Sequence, residues 1–164
     1  MAEQGVMARR PPPPRLVADP DSAFAEAMEA ASRFEARTQD VVVCVRTFWL
    51  DDHSQPEEHR YAWAYHIRIA NEGQETVQLL SRSWEIIDAR GHVEHVHGDG
   101  VVGEQPVIGA GESFEYTSGA SLETPSGFMR GVYHMIAPLS LRRFDVRIPA
   151  FSLDSPHQTG LLLH

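Results

Sequence analysis

The chain has 164 residues, of which 42% are hydrophobic and 23% charged, which fits one water-soluble globular domain with room for an extra arm. Basic residues number 14 against 23 acidic ones, giving a net charge of −9, and all the basic residues are arginine. An acidic chain without a basic cluster in its body is a poor partner for nucleic acid, and the lack of lysine excludes a phosphate-loop lysine, Schiff-base chemistry and a lysine general base.

Residues 1–37 read as an N-terminal arm. The first 21 carry Arg9, Arg10, four consecutive prolines and Arg15, a composition that favours a solvated polyproline II tail and predicts disorder. Ser22 then caps a predicted short helix, because Phe24, Ala27, Met28, Ala31 and Phe34 fall on one face at helical spacing. From Thr38 the pattern changes to period two. The first predicted strand covers 41–50 and includes Cys44 within the run Val41, Val42, Val43, Cys44, Val45. A single cysteine forms no internal disulfide, and that apolar setting reads as core filler. Residues 51–58 form a polar turn. The second strand, 61–70, puts Tyr61, Trp63, Tyr65, Ile67 and Ile69 on one face, the mark of a half-buried antiparallel strand.

The third strand covers 76–88, with Leu80, Trp84 and Ile86 on one face and Arg82 among them. The fourth covers 92–97, after a turn at Arg90 and Gly91. The fifth runs over 112–118, the sixth over 129–136 and the seventh over 143–148, where Pro149 ends it. About seven short strands with turn signals between them predict an all-β, immunoglobulin or fibronectin type III-like antiparallel sandwich, with a short N-terminal helix. No signal-peptide core precedes the domain, and no run approaches about 18 apolar residues, so the reading is cytoplasmic with no membrane contact.

Between the fourth and fifth strands lies the most unusual stretch, His97-Gly98-Asp99-Gly100-Val101-Val102-Gly103-Glu104-Gln105-Pro106. Its glycines have the G-x-G-x-x-G spacing of a dinucleotide-binding turn, but Pro106 and Gly109-Ala110-Gly111 follow where that turn needs a helix. Two readings remain. One is a wide turn that needs positive φ or close backbone approach. The other is a concavity of backbone N–H groups that binds an anion or a partner's carboxylate, formed by Gly98, Asp99, Gly100, Gly103, Glu104 and Gln105. Arg82 either makes a structural pair inside the sandwich or reaches this loop to hold an anion.

A metal alternative rests on His95 and His97, which share one side of the fourth strand near Asp99. No helical His-Glu-x-x-His motif or cysteine set accompanies them, so the expected metal and cofactor content is none. No nucleophile–base pattern appears either, so no enzymatic activity is expected.

Several motifs in order resemble the ApaG family. They are 78–84 (QLLSRSW), 98–106 (GDGVVGEQP), 111–119 (GESFEYTSG), 122–125 (LETP), Gly127-x-Met129-x-Gly131-x-Tyr133-x-Met135, and Phe144-Asp145-Val146-x-Ile148-Pro149-x-Phe151. The resemblance covers 38–156, leaving a tail at 157–164. It implies a fibronectin type III-like domain and a family label of divalent cation tolerance, for cobalt and magnesium. Similar domains fused to F-box proteins imply an interaction module. The resulting expectation is a non-catalytic binding module for a protein or a small phosphate-bearing anion. Its contact surface would be the glycine-rich loop with a neighbouring segment at 117–125. Alternatives are a soluble metal-binding protein or a weak nucleotide polyphosphate hydrolase. Exposed sheet edges make a homodimer a further expectation.

Overall fold

The computed structural model describes residues 3–9 and 19–158. In chain order these form β1 (Glu3–Arg9), α1 (Asp19–Ala30), β2 (Ser32–Thr38), β3 (Val41–Trp49), β4 (Tyr61–Asn71), β5 (Val77–Asp88), β6 (Val93–Asp99), β7 (Val107–Ile108), β8 (Ser113–Leu122), β9 (Ser126–Ala137) and β10 (Arg142–Asp154). Two antiparallel sheets stack face to face. One has the order β1-β8-β4-β3-β2; the other has the order β10-β9-β5-β6, with β7 also pairing with β5. The fold is the all-β sandwich that the alternation predicts.

Inward residues follow the period of two. Val41, Val43 and Val45 of β3 and Tyr61, Trp63, Tyr65, Ile67 and Ile69 of β4 are buried. They meet Trp84 and Ile86 of β5, Met129, Tyr133 and Met135 of β9, and Phe151 of β10. Tyr65, Trp84 and Phe151 form a mutual ring cluster, with centroids 5.6 to 5.9 Å apart. The hydroxyls of Tyr116 and Tyr133 lie 2.6 Å apart and tie the two sheets together through the core. Such a pairing satisfies two groups whose burial is otherwise costly.

The arm departs from expectation. Glu3–Arg9, placed in a disordered tail by composition, is a strand that continues the sheet from β8. The open edge of β8 supplies unpaired backbone groups, a tertiary attraction that composition does not register. The helix begins at Asp19 rather than at Ser22, and it stops at Ala30. Phe34 belongs instead to β2, where it packs on Phe151. Arg33, Glu35 and Arg37 alternate with Phe34 and Ala36 in that strand, so period two wins where helical spacing also fits. The proline run lies outside the described residues, as does most of the tail.

Two bulges shift the sequence pattern. In β5 the register slips between Leu79 and Ser81, so Leu79, not Leu80, enters the core ahead of Trp84 and Ile86. In β10 it slips between Ile148 and Phe151, and the strand continues to Asp154. Pro149 has no N–H to give to a ladder, and the bulge accommodates it without ending the strand.

Candidate functional site at the glycine-rich rim

The β5 bulge is where the glycine-rich stretch attaches. The Leu80 carbonyl accepts from the Gly100 amide at 2.8 Å and from Gln105 Nε2 at 2.9 Å. The Leu79 amide donates to the Pro106 carbonyl at 3.1 Å. Between these anchors the chain makes a tight hairpin. Val101 and Glu104 exchange both backbone hydrogen bonds, at 2.8 and 2.9 Å. Val102 (φ 41°) and Gly103 (φ 83°) form its tip. Positive φ at both central residues is the two-residue turn whose twist suits antiparallel strands. Val102 is β-branched and holds that conformation against its preference, with its side chain packed on the core beside buried Val101.

The three glycines have different jobs. Gly100 has φ 59°, and a Cβ there would lie 2.1 Å from the Glu104 carbonyl oxygen. Gly103 needs its positive φ but faces open space. Gly98 is extended strand, and a Cβ there would meet Arg82 Nη1 at 2.9 Å. That guanidinium donates to the carbonyls of Asp99 at 3.2 Å and Gly100 at 2.9 Å. Arg82 is therefore a strut beneath the hairpin. The structure brings Arg82, Gly98, Asp99, Gly100, Gly103, Glu104 and Gln105 together. However, the amides of Gly100, Val101 and Glu104 point to carbonyls of the chain itself rather than outward.

The rim around the hairpin includes two further turns. Asn71 at the end of β4 donates to the Ile108 and Glu75 carbonyls. Arg142 pairs with Glu75 at 2.7 Å, and Ser140 Oγ donates to Glu75 at 3.1 Å, fastening the β9–β10 turn to the segment after β4. Among the described residues five large hydrophobic side chains are exposed. Three lie at this end: Val107 at 50%, Leu139 at 95% and Leu141 at 73%. Val107 and Ile136 face Gln78 from its two sides, which sets β7 and the β9–β10 turn at the same end of the sheet. Segment 117–125, expected beside the loop, is at the far end. Leu122 faces Tyr61, and Thr124 Oγ1 accepts from the Ala89 amide. The direction of β8, which starts opposite Ala70, carries it away.

Arg142 and Ser140 hold the Glu75 carboxyl below the usual glutamate value of 4.5. A lowered folded value contributes stability above the unfolded value, and this is lost as pH falls through the folded one. Rim stability is thus expected to decline on acidification below about pH 4.5, and less so in Glu75→Gln. Denaturation midpoints at neutral and acidic pH, at low and high salt, measure this, and salt narrows the difference because the pair is exposed.

On the outer face of the β10-β9-β5-β6 sheet, Ser83 Oγ lies 2.9 Å from His97 Nδ1 and 2.9 Å from His134 Nε2. His134 Nδ1 is in turn 2.9 Å from Asp145 Oδ1. A carboxylate accepts only, so a neutral His134 that donates from Nδ1 to Asp145 presents Nε2 as an acceptor for the Ser83 hydroxyl. Residue spacing gives no hint of this Ser–His–Asp chain, since its members come from β5, β9 and β10; cross-strand register alone assembles it. The backbone around Ser83 pairs with β6 on one side and β9 on the other, which leaves no pair of main-chain donors to stabilise an oxyanion there. His95 points to Glu85 at 3.8 Å, apart from the His97 contact. Among the described residues no group of three or more His, Cys, Asp or Glu is placed to hold a metal ion. None of the described helices is long and apolar enough to cross a membrane.

Comparison with known proteins places these features in a lineage. Residues 51–137 match the family described as the ApaG domain. The protein ApaG of Rhodospirillum centenum is 61% identical over 120 residues, covering 73% of this chain and 92% of that one. The protein ApaG of Paramagnetospirillum magneticum is 53% identical over 125 residues, covering 76% and 95%. The crystal structure of the putative ApaA protein from Bordetella pertussis superposes with a TM-score of 0.69 at 42% identity, covering 73% of this chain and 96% of that one.

Proposed function

The chain belongs to the ApaG domain family, and on that premise we propose that it is a non-catalytic cytoplasmic binding module that docks a protein partner on its glycine-rich rim. The observation that carries this reading is the gathering of Val107, Leu139 and Leu141 at the end where the hairpin is braced from inside. Exposed apolar side chains in a polar setting favour a protein partner. A braced loop loses little freedom on docking, which favours affinity. Gly103 and Glu104 at the tip and the turn around Leu139 form the contact. A link to cation tolerance would then run through the partner.

The test is Leu139→Glu with Leu141→Glu. Both side chains are exposed, so the fold is expected to keep its stability. Partner retention on the immobilised protein is expected to fall by about tenfold or more, the loss of about 1.4 kcal/mol. Unchanged retention would remove the rim from the contact.

The Ser83 chain gives a second check. A fluorophosphonate is expected to leave Ser83 unmodified after prolonged incubation, since activation without oxyanion donors is weak. Labelling that vanishes in His134→Ala would overturn the non-catalytic reading.

A further inference from the structure

The opposite sheet carries a concentration of positive charge that the rim does not use. On its outer face Arg33 and Arg37 of β2, Arg46 of β3 and Arg68 of β4 line a groove of about 420 Å³, with Met28 of α1 at its border. His66 is also in the lining, against the carboxylates Glu35, Glu72 and Glu115. Four of the 14 arginines of a chain with net charge −9 thus meet in one place.

The carboxylates do not neutralise the centre. Glu35 lies 2.6 Å from Arg33, and Glu72 lies 2.6 Å from Arg37, both toward the sheet edge. Glu115 is directly opposite Arg68 in the β4–β8 register, yet it closes on His66 Nε2 at 2.7 Å. His66 is buried, and Thr117 Oγ1 occupies its other nitrogen at 2.9 Å. Among the described residues no carboxylate pairs with Arg46 or Arg68. Arg46 gives one N–H to the Met28 carbonyl at 2.7 Å, which leaves the rest of its five-donor fork. Arg46 is also directly opposite Arg33. Like charges in that position destabilise a sheet; Glu35 offsets the charge of Arg33, while among the described residues no carboxylate offsets that of Arg46.

Cys44 sits among these arginines. It faces Arg68 on one side and Glu35 on the other, and Arg33 and Arg46 occupy the next outward positions. Its short, half-buried side chain leaves a hollow between long ones. Arginine forks match phosphate oxygens bidentately, and the two guanidiniums without carboxylates match a dianion.

We infer that this groove is a binding site for a phosphate group, free or as a small phosphomonoester, seated over Cys44 and held by Arg68, Arg46 and Arg33. An acidic protein repels anions over most of its surface, and a recessed arginine cluster focuses them there. The site is separate from the rim, and neither depends on the other.

Cys44 provides the readout. Its alkylation by iodoacetamide is measured on the full chain at constant ionic strength, with chloride, inorganic phosphate or glycerol phosphate. Phosphate is expected to slow alkylation by one plus the ratio of its concentration to Kd, about fivefold at about four times Kd, while chloride has no effect. Protection by both phosphates identifies the phosphate group as the ligand; protection by the ester alone identifies a metabolite. Arg68→Gln, an exposed position, is expected to abolish protection, read as the ratio of the variant's own rates in chloride and in phosphate. Cys44→Leu fills the hollow at unchanged charge, and amide shifts on phosphate titration around residues 44, 46 and 68 are expected to vanish in it. Equal alkylation rates in phosphate and chloride, protection that survives Arg68→Gln, or shifts confined to residues 98–105 would overturn the site. The Leu139→Glu, Leu141→Glu variant is expected to keep full protection, so failure at the rim and failure in the groove are told apart.

Discussion

Gly100→Ala is expected to cost about 2–5 kcal/mol of unfolding free energy, the largest loss of any single change in the loop. Two effects add. The φ of 59° is left-handed, which costs an alanine about 1–2 kcal/mol. The new methyl would also stand 2.1 Å from the Glu104 carbonyl oxygen, a backbone atom that no rotamer change can move. The hairpin must shift, and with it the buried Val101, at a cost of about 1–3 kcal/mol by analogy with overpacked cores. Gly103→Ala, at the hairpin tip and facing open space, is expected to cost only about 1–2 kcal/mol, for its φ alone. Gly103→Asn should cost less, because asparagine tolerates that region. Urea unfolding followed by fluorescence of the buried Trp63 and Trp84 measures all three. Equal losses at 100 and 103 would show that only backbone conformation matters there.

Arg82→Met is expected to cost about 2–4 kcal/mol, from two charge-assisted bonds to carbonyls that are left without them. The long apolar stem is kept, so packing changes little and the loss reports the guanidinium. Arg82→Lys should recover less than half, because both carbonyls are reached from Nη1 at the far end of the guanidinium, and the shorter lysine ammonium stops short of it. The two substitutions are also expected to act locally. The amides of Gly100, Val101 and Glu104 should lose hydrogen-exchange protection, while those of β3 and β4 fall only by the drop in global stability. Loop protection that stays intact in Arg82→Met would refute the strut.

All seven strands predicted from alternation exist, because a sheet buried on one face leaves a period of two in any sequence that forms it. β2 was hidden because Ala31 and Phe34 also suit a helix, and β1 because its only reason to be extended is the edge of β8. The bulge at Leu80 has no marker in the sequence, so alternation places Trp84 and Ile86 correctly in the core but takes Leu80 for Leu79 ahead of them. At the site the glycines were legible and their division of labour was not. Gly98 makes room for Arg82, Gly100 for a carbonyl and Gly103 for a turn, and only neighbours distant in sequence tell these apart. The same holds for the surfaces. Val107 and, more than 30 positions on, Leu139 and Leu141 lie at one end, and four arginines scattered over β2, β3 and β4 line one groove. Cys44 lies in an apolar run that suits core filler, yet alternation turns it outward among them.

The most direct test of a protein-docking rim is site-specific photo-crosslinking in cells, with the photoreactive group placed at position 104 on the hairpin or at position 123 at the far end of the sandwich. Both positions are exposed, so neither substitution disturbs the core. A partner held at the rim gives a discrete protein adduct from position 104, lost in the Leu139→Glu, Leu141→Glu variant, and none from position 123. An adduct from position 123 with none from position 104 would contradict it.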